Sequence, residues 1–386
     1  MTAELLAQPI RENAATTVLY NKVLSDSDKY PELLLNNVTC RFTSEGLMVT
    51  GKEDVIQLNK YYSLGERLVR YHVVFAADTK AIFRSNVGDF KLIINVPEQT
   101  ISIETSPAVW KRVTIRPEND YLLEIQRNYQ HTKVIFTDMF TGVSNELEVN
   151  CDGSGGEGVG AVKANERIVN HWDYYCFGLQ EGAALTVKQI CVQAQECDLT
   201  LLLYGDSQSQ PESYFPAKDF PESWTQLIMS HIKGKAISSG RSGGTIRDVL
   251  KRIKNELPYV KAKYVMVTIG TNGGNTEENL SELVEYILNQ GSIPILNSVP
   301  CNEHASQLEI NPVIEKIRQK YGIKGCRFDL ATSLNHDGKE VDKTTMWHED
   351  YTATTRKWGH VYHHPNVKGS RLMYLRTLID TPEIYE

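Results

Sequence analysis

Long apolar runs are missing from this sequence of 386 residues: no stretch approaches the roughly 20 apolar residues needed to span a bilayer, so no transmembrane helix is predicted. Basic residues are not in excess. Lys and Arg number 41 against 48 Asp and Glu, for a formal net charge of −7 and a pI near 5.9. Nucleic-acid binders carry a basic footprint, so no nucleic-acid partner is expected, while a neutral sugar, ester or lipid stays open. The first residues, MTAELLAQPIRENAATT, lack the apolar centre of a signal peptide. As it stands the sequence predicts a cytoplasmic protein, or a secreted or periplasmic one whose export signal has been removed. Cysteine is sparse and unpatterned: residues 40, 151, 176, 191, 197, 301 and 326 match no zinc or redox spacing, and an odd number leaves one unpaired. Free buried thiols are expected, with a Cys191–Cys197 bridge as the alternative.

What is present is enough for two cores. The chain is 41% hydrophobic and 23% charged, and its length suits two domains, placed here at residues 1–195 and 196–386. From about Cys40 to Ala194 the sequence reads as successive strands: Leu68–Phe75, Phe90–Val96, Ile101–Thr105, Arg112–Ile115, Tyr121–Gln126, Thr132–Thr137 and Leu185–Val192. Runs such as LTVKQICVQ alternate apolar with polar residues, as in a sheet with one wet face, and a two-sheet sandwich is expected. The glycine-rich stretch Asp152–Gly160 leads into no amphipathic helix and reads as a loop, not a phosphate cradle.

After Cys197 the rhythm changes. Strands are expected at Leu199–Tyr204, Lys235–Ser238, Lys263–Ile269, Ser292–Val299 and Cys326–Leu330. They alternate with helices at Trp224–Ile232, Thr245–Glu256, Thr276–Asn289, Ile310–Tyr321 and Val367–Ile379. This βαβ spacing predicts a parallel sheet covered by helices, with any site beyond the C-terminal strand ends.

Four short segments fall there. Gly205-Asp206-Ser207 follows the apolar strand LTLLLY and puts a serine at a strand mouth. Ser239–Thr245, SGRSGGT, offers open backbone N–H groups at a helix start. Gly270-Thr271-Asn272 supplies an amide donor, the kind of group that stabilises a tetrahedral oxyanion. His363-His364-Pro365-Asn366 supplies a base before the last helix. Alone, each is more often a turn or a surface loop.

In the order GDS, SGGT, GTN and HPN the set resembles the blocks of SGNH/GDSL hydrolases over residues 199–386. The resemblance implies a flavodoxin-like three-layer α/β catalytic domain. It also implies a carboxylic ester hydrolase that needs no cofactor, with Ser207 as nucleophile and His364 as base. The Ser207 and Gly243 amides with the Asn272 side chain would form the oxyanion hole, and His363 is the lesser candidate for the base. The family places an aspartate three residues before the histidine, whereas Val361 stands here, and His360 precedes His363 at the same distance. Glu349, Asp350, Asp337 or a backbone carbonyl could replace it, and the sequence does not choose. Trp347, Tyr351, Trp358 and Tyr362 near the base suit a sugar face or an acyl chain, or equally pack a long loop. Arg241 could steer an acidic substrate or serve structure. His348, His360, His363 and His364 cluster in sequence, but Gly359 and Pro365 oppose the helix that would align them, and no metal site is expected.

The expectation is hydrolysis of a short acyl ester, an O-acetyl group on a carbohydrate, behind a jelly-roll sandwich similar to concanavalin-like or laminin-G-like domains. The alternatives are a lipid or lysophospholipid esterase, an acyltransferase using the same residues, or an inactive glycan-binding protein. The oligomeric state is not fixed.

Overall fold

The structure, a computed structural model, describes residues 16–52, 55–59, 67–86, 90–104, 108–127, 131–150, 174–210, 217–352 and 359–386. Two compact units divide the chain at Cys197/Asp198. The Asp152–Gly160 loop lies outside the described residues.

The first unit is an antiparallel β-sandwich. One sheet runs Ser144–Asn150, His131–Asp138, Asp120–Arg127, Arg67–Phe75, Leu185–Gln195, Gly46–Val49, Cys40–Thr43, with Thr16–Val23 pairing along Leu185–Gln195. The other runs Val109–Arg112, Thr100–Ile103, Lys91–Asn95, Lys80–Ser85, Tyr175–Glu181, Val55–Leu58, Leu33–Leu34. Alternation decides which side chains meet. Val69, Tyr71, Val73 and Phe75 share one face of their strand and are all fully buried. The Tyr71 ring lies 5.0 Å from Phe83 and 5.7 Å from Phe177 of the opposite sheet. On the other face of the same strand Arg70 is buried but paired, its Nε donating to Glu124 at 2.7 Å, as a buried charge requires. The expected Arg112–Ile115 strand sits earlier, at Val109–Arg112. Cys191 and Cys197 are free thiols, so the bridge between them is not formed.

The second unit is an α/β domain, and its elements are numbered here within it. The parallel strands β1 (Leu199–Gly205), β2 (Ala236–Gly240), β3 (Ala262–Thr268) and β4 (Ile293–Leu296) lie in the order β2-β1-β3-β4. The helices are α1 (Trp224–His231), α2 (Ile246–Val260), α3 (Glu277–Asn289), α4 (Gln307–Tyr321), α5 (Phe328–Thr332) and α6 (Val367–Asp380). The run LTLLLY is apolar throughout because β1 is buried on both faces. Leu201 and Leu203 pack with Trp224, Ile228, Phe328 and Met373 on one side. On the other, Tyr204 donates to Glu256 of α2 at 2.6 Å. Helices therefore cover both faces. Thr245 starts α2 with its N–H and hydroxyl donating to Asp248 at 2.8 Å each, and Thr276 caps α3 by accepting from the Asn279 N–H at 3.1 Å.

The expected strand at Cys326–Leu330 is a correction: residues 328–332 form α5. A short apolar run does not distinguish strand from buried helix. Here Phe328 and Ala331, three apart, both enter the core, and the Thr332 hydroxyl donates back to the Phe328 carbonyl at 2.8 Å. The Phe328 ring is fully buried, 4.9 Å from Trp224. Phe328→Ala should therefore lower unfolding free energy by ~3–5 kcal/mol in urea titrations, whereas Leu375→Ala, at a side chain 49% exposed, should change it by less than ~0.5 kcal/mol.

Candidate active site

Strand β1 delivers Ser207 to the C-terminal edge of the sheet. A Cβ at Gly205 would collide with the Ser209 side chain and the Thr268 carbonyl oxygen, so the chain leaves the strand through a position only glycine fits. The Asp206 carbonyl then accepts from the Ser209 and Gln210 N–H groups at 3.0 and 3.1 Å, closing a tight turn with Ser207 inside it. The next residue ties this turn to its surroundings: Gln208 Nε2 donates to the His363 carbonyl at 3.0 Å, and Trp224 Nε1 donates to the Gln208 carbonyl at 2.6 Å.

His364 arrives on a hairpin, β5 (Met346–Asp350) and β6 (His360–Pro365). In the register His348 faces Tyr362 and Met346 faces Pro365, so His363 and His364 together oppose Trp347. That is a β-bulge, and a bulge re-aims the side chains that follow it. His364, 3% exposed, thereby joins the buried side of the hairpin with Glu349 and Val361. Its Nε2 lies 2.8 Å from Ser207 Oγ. Its Nδ1 lies 2.8 and 3.0 Å from the two Glu349 oxygens, and its backbone N–H donates to Glu349 Oε2 at 3.2 Å. Tyr351 donates to Glu349 Oε1 at 2.7 Å. With Nδ1–H donating to the carboxylate, Nε2 is left to accept the serine proton.

Among the carboxylates considered, Glu349 stands at the imidazole. Glu349 is the cross-strand partner of Val361, so the carboxylate comes from the neighbouring strand at the position where the familiar spacing would put an aspartate. Asp350 and Asp337 do not take this place. Asp350 turns outward, accepting from the Thr352 N–H at 2.8 Å with His360 3.8 Å away, and Asp337 accepts from the Lys339 N–H at 3.0 Å. His363 is not at the serine; its ring stands edge-on to His364 at 4.4 Å.

The donor loops flank β1 because β2 and β3 do. In the loop after β2, the Arg241 N–H donates to the Gly205 carbonyl at 3.0 Å, Ser242 to Gln210 Oε1 at 2.7 Å, and Gly244 to the Arg241 carbonyl at 2.9 Å. Among the described residues the Gly243 N–H has no such partner, and neither has that of Ser207. Gly243 has φ +74° with open space where a Cβ would be, a conformation suited to glycine. Asn272 follows β3; its Nδ2 donates to the Gly244 carbonyl at 3.0 Å, which leaves its second N–H uncommitted.

Of the aromatic candidates, Tyr362 faces the outer side of the hairpin, its ring 5.0 Å from His348 and 5.1 Å from Lys343 Nζ. Trp347 is half-buried opposite the bulge, Arg241 is half-buried at the start of its loop, and Trp358 lies outside the described residues. His348 and His360 stack at 5.1 Å; among the described residues no cluster of three or more His, Cys, Asp or Glu side chains is arranged to hold a metal ion.

Sequence reasoning passed over two groups. Arg252 of α2, fully buried, donates to the Ser239 carbonyl at 2.6 Å and the Gly205 carbonyl at 3.4 Å, joining the strand ends that carry Ser207 and the glycine loop. Asp206, adjacent in the chain to Ser207, is fully buried; burial pushes its carboxyl from the ordinary 3.8 up to about 7, against the opposing pull of backbone N–H groups including that of Gln208.

No protein-family profile matches the chain. An acetylglutamate kinase of Methanocaldococcus jannaschii is 27% identical over 132 residues, which is 33% of this chain and 42% of that protein. The chain thus spans less than half of that relative's length. Half of the chain is similar in structure to an α/β hydrolase from the metagenome of Lake Arreo, at 18% identity and a TM-score of 0.38, covering 50% of this chain and 98% of the other. A GDSL-like lipase of Parabacteroides merdae gives 14%, 0.36, 48% and 97%, and an acetylxylan esterase of Geobacillus stearothermophilus 14%, 0.36, 48% and 94%. These likenesses are distant, and the chemistry of the site rests on its side-chain geometry alone.

Two outcomes follow from that geometry. For ester hydrolysis at Ser207, Glu349→Gln, which keeps the shape but removes the charge behind the imidazole, should lower kcat on p-nitrophenyl acetate by ~10³–10⁴-fold with little change in KM. For Asp206, the folded protein keeps a proton that the unfolded chain loses near the ordinary carboxyl pKa. Its contribution to stability is therefore complete below about pH 4 and is lost as pH rises towards about 7. Urea titrations of wild type and Asp206→Asn should show wild type losing stability relative to the variant by up to ~1.4 kcal/mol per pH unit across that window; a gap that does not move with pH would contradict the assignment.

Proposed function

We propose that the protein is a serine esterase that hydrolyses a short acyl ester, an O-acetyl group on a carbohydrate, through an acyl-serine intermediate. The observation that carries this is the buried series in which Ser207 Oγ lies 2.8 Å from His364 Nε2, and Nδ1 of the same ring lies 2.8 Å from Glu349. In the acylation step Ser207 Oγ adds to the ester carbonyl carbon as its proton passes to His364 Nε2. Glu349 holds the ring in the required tautomer and stabilises the imidazolium. The N–H groups of Ser207 and Gly243 and the free N–H of Asn272 receive the negative charge that develops on the carbonyl oxygen. Collapse breaks the bond to the alcohol oxygen, which takes the proton from His364. Water then adds to the acyl-serine with His364 as base, and Ser207 regains its proton as the carboxylic acid departs.

The short acyl group is supported by what surrounds the nucleophile. Ser207 is itself only 5% exposed, and its buried neighbours Asp206, Gln208, Ser209, Gln210 and His363 are polar. Among the described residues that composition suits an acetyl group on a hydroxyl-rich alcohol, because a long acyl chain needs an apolar channel. The carboxylate at Nδ1 supports an enzyme over an inactive glycan-binding protein.

Ser207→Ala should abolish turnover of p-nitrophenyl acetate while leaving the melting temperature unchanged. The wild type should prefer p-nitrophenyl acetate over the octanoate by at least about tenfold in kcat/KM, about 1.4 kcal/mol, and should release acetate from an acetylated xylan. A preference for octanoate would replace the carbohydrate ester with a lipid ester, and unchanged turnover in Ser207→Ala would end the proposal.

A further inference from the structure

The sandwich has a concavity of its own. Its two edge strands, Val109–Arg112 of one sheet and Ser144–Asn150 of the other, approach each other and leave a cavity of about 290 Å3 at the open side. Its apolar lining includes Tyr121 and Phe136, buried core rings stacked at 4.7 Å with their planes 8° apart. Its polar lining includes Arg112, Arg116, Asp138 and Asn145.

The hydrogen-bonding capacity of this cavity is lopsided. Asp138 carries its one carboxylate, and that group is already engaged: Oδ1 accepts from the Phe140 and Thr141 N–H groups at 2.9 and 3.1 Å, and Oδ2 accepts from Arg116 at 3.2 Å. Arg116 spends one of its five guanidinium N–H groups on that contact. Among the described residues the side chains of Arg112 and Asn145 make no hydrogen bond or ion pair. The unspent groups are therefore mostly donors, on two cations against one neutralised anion, in a chain whose overall charge is −7. Gatekeeping of an edge strand would explain a lone arginine there. It would not explain an uncommitted amide and a second arginine around one concavity. Beside it, at the tip of the hairpin that contributes Thr141 and Val143, the Phe140 ring is 85% exposed.

We infer that this cavity binds a carboxylate-bearing sugar residue. The guanidinium of Arg112, with that of Arg116, takes the sugar carboxylate in charge-assisted hydrogen bonds. The Asn145 amide takes ring hydroxyls, and Phe140 and Val143 offer apolar surface to the ring. The site lies in the non-catalytic unit and goes beyond the esterase reading: it needs neither Ser207 nor hydrolysis, and predicts that the glycan held by the protein is acidic.

Isothermal titration of the full-length protein with 3′-sialyllactose, digalacturonate, lactose and inorganic phosphate tests this. At least one acidic sugar should bind, lactose should not, and phosphate should not displace the sugar. Arg112→Ala and Asn145→Ala should each weaken that binding by at least about tenfold, with circular dichroism and p-nitrophenyl acetate turnover unchanged. Binding of neither acidic sugar, equal binding of lactose, displacement by phosphate, or affinity indifferent to both substitutions would each overturn the inference. Loss of esterase activity in the wild type with sugar binding intact would count against the function proposed above and not against this one.

Discussion

The contact between the Glu349 carboxylate and the His364 ring is the constraint on which the rest of the site depends. Both groups are almost wholly buried, and a buried carboxylate is stable only when its oxygens are satisfied. The His364 ring and N–H and the Tyr351 hydroxyl satisfy them. This arrangement sets the tautomer that leaves Nε2 facing Ser207. Without the carboxylate the ring would have no reason to present an acceptor to the serine, and a desolvated hydroxyl 2.8 Å away would be an ordinary hydrogen bond.

Two kinds of architecture converge on that point. The parallel sheet places Ser207 and the flanking donor loops on adjacent strands, because the order β2-β1-β3 puts the strand leading to Ser207 between the other two. His364 and Glu349 come from outside that sheet, on a separate two-stranded hairpin, and the bulge at His363-His364 turns the His364 ring towards Ser207. Gln208 couples the two, since its side chain binds the bulge carbonyl while its neighbour in the chain is Ser207. The Arg252 side chain does the same for the strand ends beneath. Precision in such a site comes from these supporting hydrogen bonds as much as from the reacting groups.

Much of this was legible in sequence, for reasons that differ residue by residue. The run LTLLLY before Gly205 reads as a doubly buried strand because every position is apolar, and a serine just past it must lie at the strand mouth. The α/β alternation after Cys197 and the alternating strands before it carry their own periods, and both units have the expected class of fold. Glu349 was one of three candidate carboxylates, and the choice among them was not legible. Glu349 lies fifteen positions from His364 along the chain and meets it only through a cross-strand register that a bulge shifts, and neither bulge nor register has a sequence period. The segment WHED reads as polar loop unless its pairing with HVYHHP is known. Cys326–Leu330 failed for the opposite reason: five residues too few to show any period, whose fate was settled by Phe328 and Ala331 reaching one core.

The most direct measurement is the site of covalent labelling by diethyl p-nitrophenyl phosphate, which phosphorylates an activated serine and releases nitrophenol. Peptide mass spectrometry should find one adduct per chain on Ser207, and the labelling rate should collapse in both His364→Ala and Glu349→Gln. An unlabelled protein, an adduct on another residue, or a rate indifferent to Glu349 would contradict the account of a serine activated through His364 and Glu349.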